Sequence, residues 1–336
     1  MTCFTALRAL LLSILAVVAT HALADADRHD CRGERMPRVT FIEFQSPNLA
    51  PPGGLLTIKG KMSMPGKADD RWFCRDDDRR GKRDKKERKL AAVLILHGSG
   101  GVDARGDFYE AALNEAGVAT LQIDMWEARG VTGITNRPPV PILTIPDAFS
   151  ALAVLSANDA IDPDRIGVLG FSWGGVISLA AAEQAYAGAP FARGLRFAAH
   201  VAHYPVCYGA NNPNILLAFG TTPALAGTQF LNLTGAPVLI QVGSEDDYDN
   251  SAGPCRALAQ AVNPTNNNVV EVREYVGAYH GWDRLMVPVT VPDPFADQGS
   301  FLLGQRATPP LVVIRPDVAQ AHEARERVVR FFRRKL

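Results

Sequence analysis

One hexapeptide constrains the fold of this 336-residue chain more than any other stretch: Gly170-Phe171-Ser172-Trp173-Gly174-Gly175. The apolar run 165–169 before it reads as a buried strand, and 176–185 after it reads as a helix. Ser172 therefore stands at the tip of a strand–turn–helix, in a G-x-S-x-G frame. A turn that sharp brings the strand and helix backbones together, so Gly170 and Gly174 must lack side chains. The same turn pushes the Ser172 hydroxyl out beyond the sheet, where a base and a substrate can reach it.

The rest of the chain repeats one pattern. Residues 38–44 and 55–64 read as strands, the second ending at Pro65. Residues 90–96 are continuously apolar, as a strand buried on both faces requires. They run into His97-Gly98-Ser99-Gly100-Gly101. A helix around 108–114, a strand at 119–123 and a helix from about 145 to 158 follow. After the nucleophile helix come strands at 197–203, 237–242 and 269–275. A helix near 255–262 separates the last two, and a final helix covers 319–332. Strand–helix alternation of this kind makes an α/β fold, a mainly parallel sheet with helices on both faces. Nothing marks a second domain, so 25–336 reads as one. Two segments stand apart. Residues 66–89 mix charges of both signs with few apolar side chains and read as a solvated surface loop. Residues 208–234 have few clear elements and read as a candidate cover over a site.

Composition narrows the function. The formal net charge is +0, which argues against a nucleic-acid or anionic-membrane role. Near the N-terminus, Arg8 precedes an apolar stretch over 9–19, and Ala22-Leu23-Ala24 supplies a small-x-small cleavage pattern. Residues 1–24 thus read as a signal peptide, with Asp25 opening the mature chain and the product periplasmic or secreted; the competing reading is an uncleaved anchor. After cleavage no stable membrane insertion is expected. Cys3 leaves with the signal, and the four remaining cysteines, Cys31, Cys74, Cys207 and Cys255, suggest two disulfides in an oxidising compartment. None forms a C-x-x-C pair, so no metal site is expected. Asn232-Leu233-Thr234 matches a glycosylation sequon.

The chemistry-bearing residues follow strand ends, where an open α/β sheet places its site. After 237–242 comes Gly243-Ser244-Glu245-Asp246-Asp247-Tyr248-Asp249, and after 269–275 comes Tyr279-His280-Gly281-Trp282. The order is Ser172, an acid, then His280. His280 would take the serine proton during attack and return it to the leaving group. A carboxylate would fix the imidazole tautomer, with Asp246, Asp247 and Asp249 all in range. The oxyanion needs two backbone donors: the Trp173 N–H, and one at Ser99 or Gly100.

These four motifs together resemble the dienelactone hydrolase family of α/β-hydrolases, over about residues 38–282. The resemblance implies an eight-stranded, mostly parallel sheet, hydrolysis of a small-molecule ester or lactone, and no cofactor. It places the acid three residues after the glycine, at Asp246. In the sheet order it implies, the strands leading to Cys207 and Cys255 are neighbours, so it also implies a Cys207–Cys255 bridge; Cys31 would then pair with Cys74. The chain departs from the pattern twice. The namesake enzymes carry a cysteine nucleophile and are typically not exported.

Other side chains have two readings each. Trp126 and Arg129 follow a strand end on the site side and contact either the acyl group or a substrate carboxylate, or only pack their loop. Tyr204, Trp173 and Trp282 either line an acyl pocket or pack the core. His97, His200 and His203 are expected to be structural. The leading function is a secreted or periplasmic serine esterase or lactonase working through an acyl-enzyme. The alternatives are a non-catalytic binding module, or a peptidase or acyltransferase on the same fold.

Overall fold

The computed structural model describes residues 36–66, 89–133, 136–211 and 232–336. The expected signal peptide, Cys31, Cys74, nearly all of the charged 66–89 loop and most of the 208–234 segment lie outside the described residues. Contacts divide the chain into two units, Met1–Met36 with Gly66–Asp84 and Pro37–Pro65 with Lys85–Leu336. Every element below belongs to the second.

Its centre is an eight-stranded sheet in the order β1-β2-β4-β3-β5-β6-β7-β8. The strands are β1 (Arg38–Pro47), β2 (Leu55–Met64), β3 (Leu90–Leu96), β4 (Ala119–Asp124), β5 (Ile161–Phe171), β6 (Ala199–His203), β7 (Val238–Glu245) and β8 (Val270–Tyr279). β1 and β2 pair antiparallel, as do β2 and β4. All other pairs are parallel. The mostly parallel, eight-stranded α/β expectation is borne out.

β3 explains why the sheet sits between two helical layers. Successive strand side chains point to opposite faces. Ala92, Leu94 and Leu96 enter one core with helix α2 (Ile145–Ser156) and helix α3 (Trp173–Ala180). Ala91, Val93 and Ile95 enter the other, with helix α1 (Ala104–Glu115) and the closing helix, Val318–Lys335. Asp103 caps α1 by accepting the Arg105 N–H at 3.1 Å. The closing helix is capped by Asp317, which accepts the Gln320 N–H. It ends on Arg333, Arg334 and Lys335, cations suited to a helix C-terminus.

Two features depart from the expected element map. The nucleophile helix stops at Ala180 rather than 185. There Glu183 bridges to Leu233 and the Gln184 N–H donates to Asn232 O at 2.7 Å, so the backbone serves a neighbour instead of the helix. A two-stranded sheet, β9 (Val289–Pro292) with β10 (Leu311–Ile314), was not expected at all. It matters because the chain around it forms one wall of the site. Among the described residues no helix is long and apolar enough to cross a membrane.

Candidate active site

The turn from β5 to α3 is as tight as the sequence requires. A Cβ on Gly170 would run into the Gly174 carbonyl, and one on Gly174 would run into Leu96 O and stand 2.8 Å from His97 O. Ser172 itself has φ 50° and ψ −108°, a conformation that L residues rarely hold. Two hydrogen bonds fix the turn. Ser172 N–H donates to His203 O at 3.0 Å, and Gly174 N–H donates to His97 O at 3.1 Å. So β3 and β6, the two neighbours of β5, clamp the serine from both sides.

His280 follows the end of β8 and Asp246 the end of β7. His280 Nε2 stands 2.9 Å from Ser172 Oγ, and its Nδ1 stands 2.9 Å from Asp246 Oδ2. A carboxylate only accepts, so Nδ1 carries the proton and donates, leaving Nε2 to accept from the hydroxyl. Asp246 is 1% exposed and His280 4%. The second oxygen of Asp246 accepts the Tyr248 N–H at 3.0 Å. Of the three acids in range, Asp247 turns away and accepts the Val313 N–H of β10 at 2.7 Å. Asp249 is fully buried and accepts from the Cys207 and Tyr208 N–H groups at 2.9 and 2.8 Å. Burial, reinforced by the charge of Asp246, pushes its carboxyl up to about 7.

Two tyrosines hold the imidazole. The Tyr204 ring lies edge-on at 4.6 Å between centroids, and the Tyr248 ring lies tilted at 4.4 Å. Each phenol is anchored on a buried acid. Tyr204 donates to Asp283 at 2.6 Å, and Tyr248 hydrogen-bonds Asp293. Burial first, and then the charge of each acid, holds both phenols well above their ordinary value, so both remain protonated donors.

The loop after β3 packs on the serine turn, where a Cβ on Gly98 would come within 3.5 Å of Ser172 Cβ. Ser99 lines the cleft that contains Ser172 and Trp173. The cleft has about 1000 Å³ of open space including its mouth. Val140, Ile142, Val176, Leu179 and Phe295 give it an apolar wall, and Trp173 contributes its side chain, as one of its two readings anticipated.

Four side chains that had two readings, Trp126, Arg129, Tyr204 and Trp282, take the packing one and are absent from the cleft lining. Trp126 and Arg129 do not line the cleft. Trp126 is buried between His97 and Trp173 and donates from Nε1 to Ser99 O at 3.1 Å. Arg129 turns inward to Asp147, with Nη1 2.6 Å from Oδ2, because that aspartate is fully buried in α2 and needs a countercharge. Tyr204 packs on His280 and Trp282 packs on Tyr204 instead, both fully buried, with centroids 5.1 Å apart. The histidine expectations hold. His97 Nε2 accepts the Met125 N–H, His200 faces Ser178 O, and His203 lies between Gln241 and Asp283.

Cys207 and Cys255 are joined by a disulfide, with Cα atoms 5.0 Å apart. Asp249 sits beside it within ligand distance, but neither sulfur is a free thiolate, so the trio is no metal donor set. Sequence reasoning missed Arg137 and Asp293, a buried pair in the cleft wall with an Nη2–Oδ2 distance of 2.9 Å. They lie 156 residues apart, and neither carries a local motif.

Comparison with known proteins agrees with this picture. The hyperthermophilic esterase of the archaeon Pyrobaculum calidifontis is similar at TM-score 0.53 and 17% identity, over 99% of this chain and 98% of that one. Thermogutta terrifontis esterase 2, phosphoramylated by tabun, is similar at TM-score 0.52 and 19% identity, over 78% and 92%. At such identities the likeness speaks for the fold alone. No curated protein matches the chain. The model of the dienelactone hydrolase family matches residues 83–336, a span that holds the serine turn, both partner loops and the cleft. The chain belongs to the dienelactone hydrolase family.

Proposed function

We propose that the protein hydrolyses a carboxylic ester through an acyl-enzyme on Ser172. One observation carries the reading: an unbroken hydrogen-bonded line from Ser172 Oγ through His280 to Asp246, 2.9 Å at each step, opening on an apolar cleft. Ser172 Oγ attacks the carbonyl carbon while its proton passes to His280 Nε2. Asp246 stabilises the imidazolium and holds its tautomer. The carbonyl oxygen becomes an oxyanion, held by the Trp173 N–H and by an N–H of the Ser99–Gly100 turn. The intermediate collapses, the alcohol leaves with the proton from His280, and the acyl group stays on Oγ. Water then attacks in the same way, with His280 as base, and the carboxylic acid departs as Oγ recovers its proton.

Export is part of the same proposal and rests on the apolar 9–19 stretch followed by Ala22-Leu23-Ala24. Terminal sequencing of protein recovered outside the cytoplasm should read from Asp25; an intact Met1 there contradicts it. The activity itself is tested with purified protein on ester and lactone panels of graded acyl length, beside Ser172→Ala. The alanine variant should stay folded and lose turnover by a factor on the order of 10⁶. Undiminished hydrolysis by that variant contradicts the proposal.

A further inference from the structure

Among the described residues, the cleft wall holds one ion pair in otherwise uncharged surroundings. Arg137 Nη2 lies 3.0 and 2.9 Å from the two oxygens of Asp293. The side chains are 7% and 1% exposed. The guanidinium lies over the Trp173 ring at 5.5 Å and over the Phe295 ring at 5.2 Å. Asp293 also accepts the Phe295 N–H at 2.9 Å and bonds Tyr248, which packs on His280. Among the described residues no other Asp, Glu, Lys or Arg lines the cleft.

An arginine that recognises a substrate carboxylate needs an open fork of donors. Asp293 takes one prong of this one, Nη2, with both oxygens, and its charge offsets that of the guanidinium. A carboxylate on the substrate would have to share the guanidinium with Asp293. That sets two anions side by side in a site of low polarity, after stripping water from the incoming one. An uncharged hydrocarbon arm meets neither obstacle and gains contact with Val140, Ile142, Val176 and Leu179. The acyl group, bonded to Ser172 through the second half of the reaction, is the longer-lived occupant of the cleft that Ser172 and the pair both line.

We infer that the substrate is an ester with an uncharged, apolar acyl arm, and that Asp293, by offsetting the charge of Arg137, is the residue that excludes an anionic arm. This rests on the esterase reading and adds the substrate class to it. Removing the carboxylate while keeping its shape should therefore turn Arg137 into a carboxylate receptor.

The test compares p-nitrophenyl valerate with mono-p-nitrophenyl glutarate, in which a carboxylate replaces the terminal methyl. The full-length protein should prefer valerate in kcat/KM by a factor on the order of 100 or more. Asp293→Asn should shrink that preference at least about tenfold, because the freed guanidinium gains a charge-assisted hydrogen bond to glutarate. Adding Arg137→Gln to Asp293→Asn should restore the preference. A ratio taken within one enzyme is insensitive to general damage at His280 through Tyr248. Equal or better hydrolysis of glutarate by the wild type overturns the inference and leaves the esterase reading standing. So does a ratio that Asp293→Asn does not move. Hydrolysis of neither, when other esters of the panel are turned over, overturns this inference alone; hydrolysis of no ester on the panel overturns the esterase reading and this inference with it. Should Asp293→Asn fail to fold, the same ratio is read on Asp293→Ser, which also removes the charge, with the same two outcomes.

Discussion

Asp246 Oδ2 stands 2.9 Å from His280 Nδ1, while the carboxylate of the next residue, Asp247, is turned to the Val313 N–H of β10. Adjacent acids on one loop thus have separate duties, one in the line to Ser172 and one in holding the β9–β10 segment. Asp246→Asn should lower kcat by roughly 10⁴, since the amide no longer dictates which imidazole nitrogen carries the proton. Asp247→Asn should keep most of the activity and show its effect in thermal stability. Steady-state kinetics on both variants decide the assignment, and a silent Asp246→Asn would move the acid by one residue.

Arg129 and Asp147 form a buried pair away from the cleft, joined by Ser46, whose hydroxyl donates to Asp147 at 2.5 Å. Burial pushes the Asp147 carboxyl up even though Arg129 opposes it. Asp147→Ala would leave a guanidinium uncompensated in the core, at a cost of about 3–5 kcal/mol. Urea unfolding should report that loss, with the order of preference among ester substrates unchanged. A changed substrate order at full stability would return Arg129 to the cleft.

Asp249 makes the fold sensitive to pH. Its folded value of about 7 exceeds the ordinary 3.8, so between those limits the folded state binds more protons than the unfolded one. The stability it contributes is fully present below 3.8 and is lost as the pH rises toward 7. Each pH unit in the window is worth at most about 1.4 kcal/mol. Asp249→Asn should flatten this part of the stability profile, and melting curves across the window read the difference in slope. Parallel profiles for the two proteins would contradict the assignment.

The Cys207–Cys255 bridge spans 48 residues and ties the end of β6 to the helix that follows the acid loop. The chain-entropy model gives a loop of that size about 4 kcal/mol. Replacing both cysteines by serine should cost stability of that order. It should also lower kcat, since the carboxylate of Asp246 loses a brace beside Cys207 and Asp249. Non-reducing peptide mapping should find a peptide containing Cys207 linked to one containing Cys255; Cys207 alkylated as a free thiol would contradict the bridge.

The strand–helix order, Ser172 and His280 were legible because each rests on local pattern: apolar runs, glycines at a tight turn, a histidine just past a strand end. Local pattern left three acids in range, and the choice of Asp246 among them came from the family resemblance. The cleft was not legible in the same way. Arg137 and Asp293 meet across 156 residues, and Asp293 arrives on an excursion after β8 that no periodicity announces. Tyr204, Trp126 and Trp282 follow strand ends, but a side chain there can turn above the sheet or beneath it, and packing around His203 and His97 takes these three beneath. Arg129 did leave a signal. Asp147 is the lone charge in the apolar stretch Ile145–Ser156, and a buried acid there requires a cation.

The central claim is a covalent acyl group on Ser172. Rapid quenching during turnover of a p-nitrophenyl ester, followed by peptide mass spectrometry, tests it directly. An acyl mass increment is expected on the peptide that contains Ser172, and none on the corresponding peptide of Ser172→Ala. Wild-type turnover with no acyl adduct on Ser172, full turnover by Ser172→Ala, or an adduct mapped to another residue would contradict it.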